Sequence, residues 1–338
     1  MRRIAFFEVA PYEREAIAAF SPPDVDVLRF VEPLNPETAQ KATDAEAVSV
    51  FVYSTLDERV LERLPSLRFV TTRSTGYDHI DLNACAQRGV RAAFVPSYGE
   101  NTVAEHAFAL VFALSKRLPR AMAQTRTLDF SLNGLEGVDL KGKGLGIIGM
   151  GRIGAHTARI GRGAGMRVLA YDPREDLELA AKEGFRYVPL DDLLSSSDVI
   201  SIHAALVPQT FHLLDRAAFR KMKPGAILVN TARGGIVDSE ALCEALDRGW
   251  VAAAGLDVFE GEELIKDEAR VLQQPLNQQQ LRHLALCHSL LLRDNVILTP
   301  HMAFFTREGV DRLLETTFDN LKSYLAGAPR NPVPGLGS

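Results

Sequence analysis

The sequence predicts an α/β protein of two domains, each a parallel sheet covered by helices, and three observations carry that expectation. Short β-type runs alternate with helical stretches rich in Ala, Glu, Leu and Arg along almost the whole chain, the pattern of strands joined by crossover helices. The alternation breaks at Asn101 for one long apolar helical stretch and restarts at "KGLGIIGMGRIG". A chain of 338 residues also suits two domains of ordinary size, with a large buried core.

The first series of strands is expected at 3–9, 25–30, 47–53, 67–73 and 90–95. The opening "MRRIAFFEVAPYE" starts basic and then apolar, like a leader segment, but Glu8, Pro11 and Glu13 cut the run short, so it reads as a first strand. "NTVAEHAFALVFALSKRLPRAMAQTR" follows, apolar on much of its circumference and started by Asn and Thr, and is expected as one long helix joining the domains. The second series is expected at 145–149, 166–172, 198–203, 226–231, 251–257 and 295–301. A polar, Gln-rich stretch over 263–294 interrupts it, expected as an ordered excursion at the domain's edge. A helix over 306–326 stops at "AGAP", and "RNPVPGLGS" is expected to be extended and partly disordered.

Composition narrows the function classes. A net charge of −5 gives no sign of a nucleic-acid or anionic-membrane partner. No segment approaches the roughly 20 apolar residues that cross a bilayer. Cys85, Cys243 and Cys287 are widely spaced, without zinc-type spacing. They suit a reducing compartment, so a cytoplasmic setting is expected, and no metal.

"GLGIIGMGRIG" places Gly149, Gly151 and Gly154 in GxGxxG spacing between an apolar strand and a helix. The motif alone is weak, but strand, turn and helix stand in the required order. The next strand ends at Asp172, 18 residues after Gly154, near the spacing of the dinucleotide fingerprint. Gly149 allows the tight turn, Gly151 lets a pyrophosphate approach the backbone, and Gly154 lets helix and strand pack closely. The N–H groups of Arg152 and Ile153 at the helix start would bind phosphate. Asp172 can accept from both ribose hydroxyls and would repel a 2′-phosphate, favouring NAD over NADP, although Arg174 could soften that preference. The plain alternative is a structural glycine turn. Gly161, Gly163 and Gly165 read as the helix's C-terminal stop.

Three consecutive strands end in chemistry-bearing residues: Arg233 in "ILVNTARGGIVD", four carboxylates in "LDVFEGEE" (256–263), and His301 in "NVILTPHMAFFT". Carboxyl ends of parallel strands converge on the ligand crevice, so Arg233, Asp257, Glu262 and His301 can meet there. Reducing a 2-keto acid needs a cation for the carboxylate and a proton donor at the carbonyl oxygen. Arg233 offers a bidentate fork, and His301 a proton near neutral pH. A carboxylate on its other ring nitrogen would fix the tautomer and favour the charged form. Each has a plain alternative: Arg233 as a loop cap, His301 as a satisfied loop histidine, the carboxylates as solvated charge. His106, His156, His283 and His288 lie in helical patterns and are given no role.

With these motifs in order, the sequence resembles the D-isomer-specific 2-hydroxyacid dehydrogenases over nearly its full length. The matching stretches include "RSTGYDHIDL", "VPSYGENTVAEHA", "GIIGMGRIG", "VISIH", "NTARGGIVD", "GLDVFEGEE" and "ILTPHMAFFT". Within the family it looks most like the D-lactate dehydrogenase branch, through "DVFEGE", "HMAFFT" and Tyr98. The resemblance implies two doubly wound domains, a Rossmann NAD domain over 101–299 and a flavodoxin-like substrate domain over 1–100 and 300–338, with a cleft that closes over NAD and a 2-keto or 2-hydroxy acid. It implies Arg233, Glu262 and His301 as the catalytic trio, Glu262 backing His301. It places Ser74, Thr75, Gly76 and Tyr98 at the substrate. It places Gly149, Gly151, Arg152, Ile153, Gly154, Asp172, His203, Ala204, Thr210, Thr231, Ala232 and Asp257 at the cofactor. Asp257 would hold the nicotinamide carboxamide, leaving Glu260 and Glu263 as solvated charge, and a homodimer is expected.

There are departures. Ala204-Ala205-Leu206-Val207 stands where the family commonly has x-Pro-Leu-Thr, and Glu263 where a proline is often seen. The implied reaction interconverts pyruvate and D-lactate. The alternatives are another D-2-hydroxy acid (glyoxylate or hydroxypyruvate, phenylpyruvate, 2-ketoisocaproate) and a non-catalytic NAD-sensing corepressor. "HMAFF" argues against the phosphoglycerate branch, and Glu262 against formate dehydrogenase, whose histidine is paired with glutamine.

Overall fold

The computed structural model describes residues 1–20, 22–266 and 276–334. The chain divides into two compact units, Met1–Tyr98 with Thr306–Ser338, and Gly99–Phe305.

The first unit holds strands β1 (Arg2–Phe6), β2 (Val25–Arg29), β3 (Ala47–Val50), β4 (Phe69–Thr72) and β5 (Arg91–Ala93). They form one sheet in the order β2-β1-β3-β4-β5, with every pairing parallel. That is the flavodoxin-like order. Side chains alternate between two buried faces: Ala5 and Phe7 join Val48, Val50 and Val70 on one, Ile4 and Phe6 join Ala47, Phe69 and Leu321 on the other. Burial on both faces explains why these strands read as apolar runs. The helix Arg307–Leu325, capped by Thr306, covers the second face. Beyond it Pro332 bridges Ala93 antiparallel and Val333 N donates to Ala92 O at 2.9 Å. The tail is thus held to the sheet edge, and 335–338 lie outside the described residues.

The second unit holds β6 (Gly144–Ile148), β7 (Arg167–Tyr171), β8 (Arg186–Tyr187), β9 (Val199–Ile202), β10 (Ala226–Asn230), β11 (Val251–Leu256) and β12 (Val296–Leu298). Their order is β12-β11-β10-β9-β6-β7-β8, again wholly parallel. Renumbered from β6 this is the doubly wound Rossmann order 3-2-1-4-5-6 with one strand added, and its switch point lies between β6 and β9.

Three local expectations differ. The long helix is two, Glu100–Ser115 and Leu118–Arg126, because Pro119 has no N–H to offer Ser115 O. Val138 N donates there instead at 2.8 Å, and Arg117 turns left-handed at φ +51°. Strand β8 has two residues and no apolar run to announce it. Gly161 is a packing glycine inside the helix Arg152–Gly163: a Cβ there would lie 2.4 Å from Leu145 Cδ2 and 3.2 Å from Phe108 Cζ. Of the glycines expected as a helix stop, Gly165, at φ +77°, makes the turn.

Part of the Gln-rich excursion, 267–275, lies outside the described residues, as does the side chain of Glu263. The described remainder forms helices Glu262–Lys266 and Gln278–Leu291, and Leu290 joins the unit's core. Among the described residues no helix is long and apolar enough to cross a membrane.

Candidate active site

The glycine turn leaves β6 at the switch point. Gly149 takes φ +93°, and a Cβ there would stand 2.5 Å from Ala204 N, so the turn presses against the chain leaving β9. A Cβ at Gly154 would meet Gly149 O at 2.3 Å, which fixes how closely the helix packs on the turn. At Gly151, the N-cap of that helix, an added Cβ meets nothing within 4 Å. Packing within the chain therefore demands glycine at 149 and 154 but not at 151, where the opening faces the first turn of the helix. The first N–H groups of any helix lack intrahelical acceptors, and here they belong to Arg152 and Ile153.

Asp172, just past β7, braces this turn, accepting Met150 N at 2.8 Å and Arg174 N at 2.9 Å. Past β9, His203 Nε2 lies 3.0 Å from Thr157 Oγ1 and 2.9 Å from Ser201 Oγ. Burial pushes this imidazole down to about 3, so it is neutral. Its Nδ1 and the Thr231 hydroxyl are buried with no hydrogen-bond partner. Thr210 closes the loop after β9, its hydroxyl donating to Ala205 O at 2.7 Å and accepting Val207 N at 2.8 Å.

Arg233 follows β10 on a turn set by Asn230, a fully buried strand-end residue. Asn230 Oδ1 accepts Ala232 N at 3.0 Å, and its amide donates to Arg233 O at 3.0 Å. The Arg233 guanidinium donates to Ala232 O at 2.8 Å. One strand over, Asp257 N donates to Asn230 O at 2.9 Å. Asp257 is also fully buried, and its carboxylate accepts Thr299 Oγ1 at 2.5 Å, Met302 N at 2.9 Å and Ala303 N at 2.8 Å. His106 Nε2 lies 3.5 Å from the same carboxylate and 3.2 Å from Thr299 Oγ1.

Those bonds grip the loop after β12 on both sides of His301, whose N–H donates to Asp257 O at 3.0 Å. His301 itself sits left-handed at φ +53°, a conformation costly for a non-glycine residue and held only where its surroundings insist. Its Nδ1 meets Glu262 Oε1 at 2.9 Å, with side-chain exposures of 17% and 21%. Arg233, Glu262 and His301 thus stand past the carboxyl ends of the neighbouring strands β10, β11 and β12.

Glu260 corrects the expectation of solvated charge. One of its oxygens meets His212 Nε2 at 2.7 Å and the other accepts Ser239 N at 3.0 Å, with 13% of the side chain exposed. Only three-dimensional proximity reveals this, since 48 residues separate it from His212.

In the first unit, Ser74, Thr75 and Gly76 form a turn past β4. The Ser74 hydroxyl lies 2.7 Å from Thr72 Oγ1 and donates to Gly76 O at 2.5 Å, and Thr75 Oγ1 donates to Val95 O at 2.8 Å. Under the turn Arg73 is fully buried. It donates to Glu13 at 2.9 Å, Ser49 Oγ at 3.0 Å and Phe7 O at 2.7 Å. Tyr98 O accepts Arg312 Nε at 2.8 Å. Tyr12, near Glu13 and Arg73, has its hydroxyl pushed up to about 12, first by burial and then by Glu13.

Comparison with known proteins meets this geometry. Residues 108–303 match the family model for the D-isomer specific 2-hydroxyacid dehydrogenase, NAD binding domain, more than half of the chain. The D-lactate dehydrogenase of Escherichia coli is 39% identical over 87% of this chain and 88% of its own length. The chain belongs to the D-isomer-specific 2-hydroxyacid dehydrogenase family. This dehydrogenase is also similar to the crystal structure of D-lactate dehydrogenase from Aquifex aeolicus complexed with NAD and lactic acid, with TM-score 0.90, 35% identity and 99% of each chain covered. A glyoxylate reductase from Korarchaeum cryptofilum is 38% identical over 85% of this chain and 82% of its own.

The dehydrogenase is accordingly an NAD-dependent oxidoreductase of D-2-hydroxy acids, and its second unit contains the NAD-binding Rossmann fold. Its residues suit that cofactor: Gly151 leaves open the space a side chain would fill, and the buried His203 Nδ1 and Thr231 Oγ1 await partners at the sheet's carboxyl edge. The sequence did not single out Asn230, Thr299 or Arg73, and it gave no role to His106. All four lie inside the family-matching stretches, but the part each plays depends on a tertiary contact that the motif does not display.

Proposed function

We propose that the protein reduces pyruvate to D-lactate with NADH, and catalyses the reverse oxidation. The observation that carries the chemistry is the 2.9 Å contact between His301 Nδ1 and Glu262 Oε1, with Arg233 rooted on the adjacent strand end. In this reading the Nδ1–H donates to Glu262, which leaves Nε2 as the nitrogen that exchanges a proton with substrate oxygen. Arg233 binds the substrate carboxylate through its planar fork and orients the carbonyl. NADH, when bound, supplies the hydride. His301 delivers the proton to the oxygen as negative charge grows there, and takes it back during oxidation of the hydroxy acid. Glu262 stabilises the protonated imidazole.

The remaining roles divide between the units. Backbone N–H groups of the Ser74–Gly76 turn assist the substrate carboxylate, and Tyr98 walls the substrate pocket, which makes Met1–Tyr98 with Thr306–Ser338 the substrate unit. In the other unit, Gly149, Gly151, Arg152, Ile153 and Gly154 hold the pyrophosphate. Asp172, fixed by two backbone donors, takes the ribose hydroxyls and disfavours NADP. His203, Ala204, Thr210, Thr231, Ala232 and Asp257 line the rest of the cofactor site. Three free, buried cysteines support a reducing, cytoplasmic setting. The expected homodimer rests on the family resemblance, and the exposed apolar side chains at Leu118, Met122, Phe130 and Leu132 are compatible with it.

Similarity to D-lactate dehydrogenases favours pyruvate, and the glyoxylate reductase relative keeps glyoxylate as the second reading. A panel of pyruvate, glyoxylate, hydroxypyruvate, phenylpyruvate and 2-ketoisocaproate, assayed with NADH and NADPH, tests both. The highest kcat/KM is expected for pyruvate with NADH. A higher value for another keto acid overturns the lactate assignment, and no oxidation of NADH by any of them overturns the catalytic reading.

A further inference from the structure

We propose that Glu260 is a positioning residue: with His212 it locks the segment leading to Glu262 against the Arg233 turn and so sets the spacing of the catalytic groups. The inference rests on the reading of Arg233, Glu262 and His301 given above.

Two chain segments meet at Glu260. Its carboxylate reaches His212 Nε2 at 2.7 Å with one oxygen and accepts Ser239 N at 3.0 Å with the other. His212 belongs to the loop after β9, and its N–H donates to Gly235 O at 2.8 Å, two residues past Arg233. Leu214 N then donates to Ile236 O at 3.1 Å, and Asp238 N to Leu214 O at 3.2 Å. The chain from Gly235 to Ser239 is therefore stitched to the His212 loop, and Glu260 closes the stitch at both ends.

Close packing brings the same segments together. A Cβ on Gly234 would stand 2.4 Å from Phe259 C and 2.8 Å from Glu260 N, so the Arg233 turn lies directly on the backbone of residues 259–260. Glu262 N donates to Phe259 O at 3.3 Å, which carries the constraint two residues on to the partner of His301. His212 is itself left-handed, at φ +50°, and stacks on Phe211 with centroids 4.0 Å apart. Strain of that kind persists where contacts on several sides require it. The arrangement thus fixes Arg233 and Glu262 relative to each other through one carboxylate that touches neither.

The test compares Glu260→Ala, Glu260→Gln and His212→Ala with the parent protein. Glutamine keeps an acceptor for Ser239 N and a polar group for His212, while alanine loses both. For Glu260→Ala, kcat/KM for the preferred keto acid is expected to fall roughly 10- to 100-fold, the scale of a small misplacement of catalytic groups. NADH affinity should stay near the parent value, and melting temperature should fall by no more than the roughly 2–12 °C that one unpaired buried donor costs. Glu260→Gln should recover most of the loss, and His212→Ala should fall between. Amide exchange at Ser239 and at residue 212, whose N–H groups donate to Glu260 and to Gly235 O, should rise in the alanine variants and nowhere else. Unchanged kcat/KM in Glu260→Ala overturns the proposal. So does a loss that tracks lowered melting temperature and NADH affinity, with exchange raised throughout. If the parent reduces no keto acid, the functional reading fails, and the brace stands or falls on the exchange result.

Discussion

Alanine at Gly154 and alanine at Gly151 are expected to do opposite things, and the geometry gives both sizes. At Gly154 the new methyl would lie 2.3 Å from Gly149 O, about 1 Å inside normal contact distance. The obstacle is backbone, and Gly149 cannot retreat, because it is at φ +93° and lies against Ala204. Overpacking of this kind costs about 1–3 kcal/mol. At 2–4 °C per kcal/mol for a unit of this size, melting falls by roughly 2–12 °C. At Gly151 the methyl meets nothing within 4 Å, the backbone at φ −76° accepts alanine, and the lost N-cap preference costs about 1 kcal/mol or less. The methyl instead occupies space that a pyrophosphate needs, so NADH binding should weaken by about 1–3 kcal/mol, roughly 5- to 150-fold in Kd. Fluorescence titration with NADH reads the second effect, and melting with and without NADH reads both. For the parent, NADH at 100 times its Kd should add about 2.7 kcal/mol, roughly 5–11 °C, and Gly151→Ala should lose about 0.9–2.4 kcal/mol of that gain at the same NADH concentration. A Gly151→Ala protein that binds NADH like the parent refutes the placement of the phosphates.

Two further outcomes follow from the site. His301→Gln should lower kcat by roughly 10²–10⁴-fold, the usual range for losing a general acid; near-normal turnover sinks that role. Burial holds His203 at about 3 against 6.5 when unfolded, so the unfolded chain takes up the proton first. Its stabilising contribution is therefore complete above pH 6.5 and is lost as pH falls towards 3. Urea midpoints measured from pH 7 to pH 4 should decline less steeply for His203→Gln than for the parent, and an identical decline rules out this residue as the cause.

Much of this was legible in the sequence because both sheets are parallel and buried on two faces. Strands such as "AVSV" and "AILVN" then appear as unbroken apolar runs, and the glycine turn keeps its spacing whatever surrounds it. Arg233, Glu262 and His301 were legible for a related reason: each comes just after such a run, where parallel strands deliver side chains to one edge. What escaped notice depends on tertiary partners. The helix break at Arg117 needed Val138 to take the Ser115 carbonyl that Pro119 cannot serve. Glu260 looked like solvent-facing charge because acidic runs usually are, and only the approach of His212 and Ser239 gives it another part.

The acidic segment after β11 shows how the fold separates chemistry from accuracy. Its most buried member, Asp257, spends its carboxylate on Thr299, Met302 and Ala303, and through them on a histidine held in a left-handed conformation. Asn230 does the same for the Arg233 turn one strand away, and a backbone bond joins the two anchors. In the proposed reading, the groups that meet substrate ride on loops, where they can reach it. The groups that fix those loops are polar side chains at strand ends with no exposure at all, where an unpaired donor or acceptor would cost about 1–3 kcal/mol. That penalty keeps the anchors in one arrangement, and the loops inherit the precision of the sheet.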